Sequence, residues 1–341
     1  MKLAKIVKAC RIDKPGRFRL ADHDPAETFG LSTEADNVKP ILADGIRRLA
    51  EMQQRLYANG RWAVLIVLQG MDAAGKDGVI KHVMSGINPQ GCEVHAFKAP
   101  SSEELQHDFL WRAGKYLPER GRIGIFNRSH YEEVLVVRVH PDMLERQKLP
   151  PSVTGKDIWK RRFKEINAFE RHVAWNGTLI VKFHLRISKE EQRKRFLARL
   201  EEPVKRWKFS MGDVTDRQRW DEYMTAYEDM IRSTSTREAP WYVVPARSQT
   251  RGLAHHLRRD LRGHGNAQAR LPEDRRQGAR GTQGSRACVE GGKARSVREG
   301  QAQEVTRIPS MRVLSSGGCG FARATNRSRV AASYRKPPPR A

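Results

Sequence analysis

The sequence predicts an α/β fold built on a parallel sheet. Strand-like and helix-like segments alternate along most of the chain, the pattern of parallel strands joined by helical crossovers. The run "RWAVLIVLQG", residues 61–70, is almost continuously apolar, as strands covered on both faces are. A glycine-rich turn, "GMDAAGKD" at 70–77, then joins that run to a helix-like segment.

Residues 1–36 mix charge, Pro and Gly and read as an N-terminal arm. Residues 37–246 read as the core. Its first helix covers 38–58, where Ile41, Leu42, Ile46, Leu49, Met52 and Leu56 recur at helical spacing and Asn59-Gly60 ends the run. The strand 61–70, the loop and the helix "GVIKHVMSGI" follow. "CEVHAFKA" is a second strand. Residues 101–117 read as a helix, with Leu105, Phe109, Leu110 and Leu117 on one side. "RIGIFNRSHY" is a third strand, 156–175 a helix and "GTLIVKFHLRI" a fourth strand. Ser188 precedes a charged helix and has Glu191 three residues on, as in a capping box. "RQRWDEYMTAYEDMIRST" is a further helix and "APWYVVPA" the last strand. The basic helical region 188–235 reads as a lid over the loop.

The chain has 341 residues, 38 % hydrophobic content and a formal charge of +25. Residues 247–341 hold 21 of the 64 Lys+Arg but only 6 of the 39 Asp+Glu, so +15 of that charge lies there. Nineteen of those 21 are Arg, and the segment has 12 of the 27 Gly and no Trp. Such a composition predicts disorder and non-specific contact with nucleic acid. Cys10, Cys92, Cys288 and Cys319 form no CxxC pair, so neither zinc nor a disulfide framework is expected. The first twenty residues contain no long apolar run, no stretch approaches the ~20 apolar residues of a membrane helix, and a cytoplasmic, membrane-free protein is expected.

The chemistry concentrates in the loop. Gly70, Gly75 and Lys76 have the spacing and the strand-to-helix context of a phosphate-binding loop. Backbone N–H groups from Gly70 through Ala73 and Ala74 to Gly75 can curl around a phosphate, the helix N-terminus adds partial positive charge, and Lys76 adds a full one. Two carboxylates in the same loop, Asp72 and Asp77, then require a reason. A phosphoryl-transfer site needs a divalent cation against the phosphate oxygens, and Mg²⁺ prefers oxygen ligands. Asp72 is the candidate ligand. Asp77 caps the helix or holds a metal-bound water. After the third strand, Asn127 is neutral where a metal-side acid is usual, so Glu132 or Glu133 is expected to supply the charge. Arg128 at the same strand end can clamp a transferring phosphoryl group. Lys98 follows the second strand, and Trp207-Lys208 offers a further cation. The i,i+4 pair Glu191–Arg195 is expected to be an ordinary helix ion pair. The eleven His show no metal spacing.

Joined in this order, "LQGMDAAGKDG", "FKAPS", "GRIGIFNRSHYEEVLVVRVHP", "SKEEQRKRFLARLEEPVKRWKFS", "WDEYMTAYEDMI" and "APWYVVPA" resemble the family-2 polyphosphate kinases over residues 30–246. The resemblance implies a P-loop kinase-like, three-layer α/β/α fold with a mostly parallel sheet and a helical lid. It implies Mg²⁺-dependent (or Mn²⁺-dependent) transfer of phosphate between inorganic polyphosphate and AMP, ADP or ATP, by a homo-oligomer. It places catalysis on Asp72, Lys76, Asp77 and Arg128, and phosphate binding on Gly70 to Lys76, Lys98, Arg128, Arg195 and Lys208. It places nucleotide binding on Asn127 and Asp221, and the metal on Asp72 and Glu132. Asn127 with Glu132 resembles the subgroup that accepts AMP as well as ADP. An ATP-dependent nucleoside-monophosphate kinase, and a basic nucleic-acid binder acting through the tail, are the alternatives. In the family the last strand leads into an acidic or His residue, a nearby Lys and an amphipathic helix. Here "RSQTRGLAHHLRRDLRGHG" follows Ala246, a switch that reads as a genuine basic extension or as a shifted reading frame in a GC-rich gene.

Overall fold

A computed structural model describes residues 3–29 and 35–246. The basic tail, and with it the reading-frame question, lies outside the described residues. The sheet has five strands: β1 Ala63–Gln69, β2 Cys92–Ala96, β3 Ile123–Asn127, β4 Thr178–Arg186 and β5 Trp241–Pro245. Their order is β2-β3-β1-β4-β5, and every neighbouring pair is parallel. The sheet is thus wholly parallel. All seven β1 residues and all five of β5 are buried, which is why these runs carry no polar alternation. The β1–β3 register sets Leu68 opposite Asn127, and the β1–β4 register sets Gln69 opposite His184. Chain direction changes sides at β1, so a crevice opens at the carboxyl ends of β1, β3 and β4, where ligands of such sheets bind.

The helices are α1 Leu3–Cys10, α2 Ala35–Asn59, α3 Lys76–Met84, α4 Trp111–Lys115, α5 Val136–Val139, α6 Pro141–Glu145, α7 Ile158–Trp175, α8 Lys189–Glu201, α9 Met211–Gln218 and α10 Trp220–Thr234. The N-terminal segment expected as an arm is seated on the core. Ile6, Val7, Cys10, Phe18 and Leu20 are buried. Arg11 bridges antiparallel to Tyr242, and the Ile12 N–H donates to the Trp241 carbonyl at 3.0 Å, so the segment covers the open edge of β5.

Residues 101–117 are not one helix. They form a 3₁₀ turn at Glu104–Gln106 and then the short α4. Asp108 is the cause: its carboxylate accepts from the N–H of Leu110 at 2.9 Å and of Trp111 at 3.2 Å, which restarts the chain as a cap does. The expected helix at 217–234 also breaks, at Arg219 between α9 and α10. Helix α10 belongs to the core: Tyr223, Ala226, Tyr227, Met230 and Ile231 are buried. Only α8, a 3₁₀ turn at Pro203–Lys208 and α9 remain as the part that faces the loop.

Candidate active site

The loop between β1 and α3 owes its shape to its small residues. A Cβ at Gly70 would stand 2.8 Å from the Leu185 carbonyl oxygen of β4, so only glycine allows the close approach. Gly75 caps α3 in the left-handed region, φ 100°, which L side chains avoid. Ala73 and Arg128 also have positive φ, both 61°. Such conformations cost about 1–3 kcal/mol each and persist where the surroundings over-determine them.

The charged groups of the loop are paired with one another. The Lys76 ammonium is buried and donates to the carbonyls of Gly70 at 2.6 Å and Met71 at 3.2 Å. Burial pulls its pKa below the usual lysine value, with Asp72 opposing. Arg128 Nη2 donates to Asp72 Oδ1 at 2.5 Å, and Arg128 Nη1 lies 3.7 Å from Glu132 Oε2. Burial raises the Asp72 pKa, but Lys76 and Arg128 more than offset it, and the net shift is downward. Glu132 shifts upward because it is buried. Asp77 accepts from Asn127 Nδ2 at 2.9 Å and from Lys208 Nζ at 3.1 Å.

Helices α8 and α9 hold the loop from above. Gln192 Nε2 donates to the Asp72 carbonyl at 3.0 Å. Arg195 donates to the carbonyls of Ala73 at 3.0 Å, Ala74 at 3.3 Å and Ala246 at 3.2 Å, and pairs with Glu191 at 2.9 Å as its spacing predicts. Glu191 is therefore spent on Arg195, and the expected Ser188 capping box is only half made: Ser188 accepts from the Glu191 N–H. The complete box is at Ser210 and Asp213 on α9. That box presents the Asp213 carboxyl to Asp72 within hydrogen-bond reach; burial and the Asp72 charge raise the Asp213 pKa. A cleft of about 810 Å³ opens here, lined among others by Asp72, Lys76, Asp77, Lys98, Arg128 and Lys208.

The expected residues divide accordingly. Gly75, Ala73 and Asn127 line the same cleft. Arg195 reaches its wall, but three of its bonds go to backbone carbonyls, so it acts on the loop before it can act on a ligand. Glu132 does not line the cleft; Gln69 donates to its Oε1 at 2.9 Å when the amide oxygen takes the Ser129 hydroxyl. Glu133 is set aside as a metal-side acid: it is buried against Arg162 at 3.2 Å and Gln147 at 2.8 Å. Asp221 lies in the exposed first turn of α10, outside the lining of the cleft. Trp207, named beside Lys208 in the sequence, lines the cleft with it; sequence reasoning missed Asp213 and Arg199, which also line it. The only sequence signal for Asp213 is its place three residues after Ser210.

A parallel sheet carrying a glycine-rich strand-to-helix loop, with cations from a neighbouring strand end and an overhanging helical pair, is the architecture of a P-loop-like kinase fold. A family model described as "Polyphosphate kinase 2 (PPK2)" matches residues 32–262, and the chain belongs to that family. It is 53 % identical over 241 residues to a protein of Rhodopseudomonas palustris named "ADP-polyphosphate phosphotransferase", covering 68 % of this chain and 83 % of that one. It is 48 % identical over 240 residues to the "AMP/ADP-polyphosphate phosphotransferase" of Meiothermus ruber, covering 70 % and 86 %. The crystal structure of Polyphosphate Kinase 2 from Arthrobacter aurescens TC1 superposes with a TM-score of 0.72 at 38 % identity, over 85 % of this chain and 96 % of that one. These likenesses do not favour an ATP-dependent monophosphate kinase or a nucleic-acid binder. Among the described residues, no helix is long and apolar enough to cross a membrane.

Proposed function

We propose that this protein transfers phosphate between inorganic polyphosphate and nucleotides, taking AMP as well as ADP, with Mg²⁺ or Mn²⁺ as its cation. One observation carries the reading: Lys76, Arg128, Asp72 and Asp213 converge on one cleft in a chain of this family. The acceptor range rests on Asn127 and on the likeness to the Meiothermus ruber protein.

The donor set suits a hard cation. The carboxyls of Asp72 and Asp213 line the same cleft and are close enough for each to influence the other's protonation. Among the described residues, no group of three or more His, Cys, Asp and Glu side chains forms an all-protein cage. That accords with an ion held by one or two carboxylates together with substrate phosphates. Asp213 fits the role of second ligand better than Glu132, which is spent on Gln69 and Arg128. When bound, the ion would neutralise phosphate oxygens brought side by side.

The chain's own residues do the rest. The loop N–H groups and the α3 N-terminus bind a phosphate. Lys76 leaves the carbonyls of Gly70 and Met71 for a phosphate oxygen, and Arg128 steadies the transferring phosphoryl group. The attacking nucleotide phosphate has a second pKa of ~6, so it is mostly ionised near pH 7 and needs no strong base. Catalysis is in-line positioning and charge neutralisation. A cytoplasmic homo-oligomer belongs to the same proposal, with light scattering as the check on assembly.

The test is incubation with polyphosphate, Mg²⁺ and either AMP or ADP, without ATP. ADP from AMP and ATP from ADP are expected. Phosphorylation only with an ATP donor would overturn the reading.

A further inference from the structure

A cluster of buried charged and polar side chains lies behind the phosphate site, and the phosphotransfer chemistry does not use it. Lys182, near the middle of β4, is fully buried. Its Nζ donates to Glu170 Oε2 of α7 at 2.6 Å, to the Tyr131 hydroxyl at 2.7 Å and to the Thr234 carbonyl at the end of α10 at 2.7 Å. The Tyr131 hydroxyl in turn donates to Glu170 Oε1 at 2.7 Å. Trp241 of β5 donates its indole N–H to Thr234 Oγ1 at 2.8 Å. His130 Nε2 lies 3.5 Å from Glu170 Oε1. Five elements thus meet at one buried ammonium.

A buried ion pair is a poor way to stabilise a core. Hydrophobic residues of similar volume are often as good or better, because both charges must be stripped of water. What this pair does offer is a fixed direction. Tyr131 lies in the short 3₁₀ helix His130–Val134, whose cap is Ser129. The Ser129 hydroxyl accepts from the Tyr131 N–H at 3.2 Å and also meets Gln69 at 3.0 Å, the residue just before the phosphate loop. Immediately before Ser129 stands Arg128, in its left-handed conformation and aimed at Asp72. A strained residue needs both flanks held. On one flank the Arg128 N–H donates to the Leu68 carbonyl of β1 at 3.0 Å. On the other, the hold runs through Ser129 to Tyr131 and its two charged partners.

We propose that Lys182, Glu170 and Tyr131 are positioning residues for Arg128: the buried ion pair anchors the Tyr131 hydroxyl, and so holds the Arg128 turn in its productive conformation. The inference rests on the reading of Arg128 as the phosphoryl clamp.

The experiment is a double-mutant cycle with two network variants, the pair Lys182→Met with Glu170→Leu and the single Tyr131→Phe. Each is made in the wild-type chain and in an Arg128→Ala background. Thermal unfolding, kcat and KM for polyphosphate and nucleotide are read. The charge-free pair is expected to unfold at the wild-type temperature or above, and to lose about 10–100-fold in kcat with KM little changed, the size of loss that a misplaced group produces. Tyr131→Phe is expected to lose less in the same sense. In the Arg128→Ala background both losses should shrink to about twofold or less, because no guanidinium remains to be positioned. Losses repeated in full in that background, or an unchanged kcat, would overturn the proposal. Should the paired variant not fold, the Tyr131→Phe cycle decides alone by the same criteria. Full turnover in Arg128→Ala by itself would instead remove the reading of Arg128 as the clamp.

Discussion

At the scale of single residues, the five charged side chains at the loop are held by one another and by the backbone. Lys76 rests on carbonyls, Arg128 on Asp72, and Lys208 on Asp77. Under the proposed function, a polyanion entering the cleft would exchange these contacts for its own oxygens. Losing one such stabiliser of developing charge typically costs on the order of 10²–10³ in rate. Lys76→Ala and Arg128→Ala are each expected to lose that much turnover with polyphosphate as donor, measured by nucleotide formation. Asp213, proposed as the second metal ligand, and Glu132, expected as one from the sequence, separate in a Mg²⁺ titration. Asp213→Asn should require more Mg²⁺ for half-maximal rate, because its carboxyl meets Asp72. Glu132→Gln should lower the rate through Arg128 and leave the Mg²⁺ requirement near the wild-type value. The reverse pattern would return Glu132 to the metal. The strand-to-helix loop between β1 and α3 was legible from glycine spacing alone, since backbone geometry leaves a local trace. Asp213 was not, because its approach to Asp72 depends on where α9 folds back.

At the scale of elements, α8 is a clamp on the loop as much as a cover. Gln192 donates to the Asp72 carbonyl and Arg195 to the carbonyls of Ala73 and Ala74, so α8 ties down three successive residues of the loop. Removing a charged donor from part-buried acceptors costs about 1–3 kcal/mol, so Arg195→Ala should lower the unfolding midpoint as well as the rate. The turn after α8 has its own reporter. Trp207 is exposed, and the Lys208 ammonium lies 5.2 Å from its ring centre. Burial raises the Asp77 pKa, but the bonds from Asn127 and Lys208 outweigh it and hold the carboxyl below the usual Asp range. A lowered pKa keeps the group ionised at every pH above that range, so the Lys208–Asp77 contact is lost only on strong acidification. Trp207 emission is therefore expected to be flat between pH 8 and pH 5 and shifted in Asp77→Asn at all of these values. A transition within that window in the wild-type protein would count against the contact.

At the scale of the whole molecule, the N-terminal segment and the tail contribute in opposite ways. Ile6, Val7, Phe18 and Leu20 are buried, and each large side chain is worth up to about 1.5–3 kcal/mol. Their sum approaches the roughly 5–15 kcal/mol by which a domain is stable. Deleting residues 1–22 should expose the β5 edge and yield aggregated or unfolded protein, read by gel filtration and circular dichroism. Cutting the chain after Arg262, where the family match ends, should lower the salt needed to elute it from heparin and leave nucleotide formation within about twofold. A heparin profile unchanged by the cut would place the polyanion affinity in the core.

What the sequence determined by itself was local or periodic: the parallel α/β class, the glycine-rich loop between β1 and α3, Ser188 at a helix start, the Glu191–Arg195 pair. Glycine spacing, apolar runs and i,i+4 distances are set by backbone geometry over a few residues. What the tertiary structure decided was long-range. Residues 1–36 read as an arm because the apolar side chains between Ile6 and Leu20 look sparse until the β5 edge and α10 collect them. Glu133 looked equivalent to Glu132 until the 3₁₀ turn sent one to Arg162 and the other to Arg128. Asp213 and Lys182 acquire their partners, 141 and 12 residues away, only when separate elements meet. A side chain's chemistry is carried in the sequence, but the field it works in is made by residues brought beside it by folding.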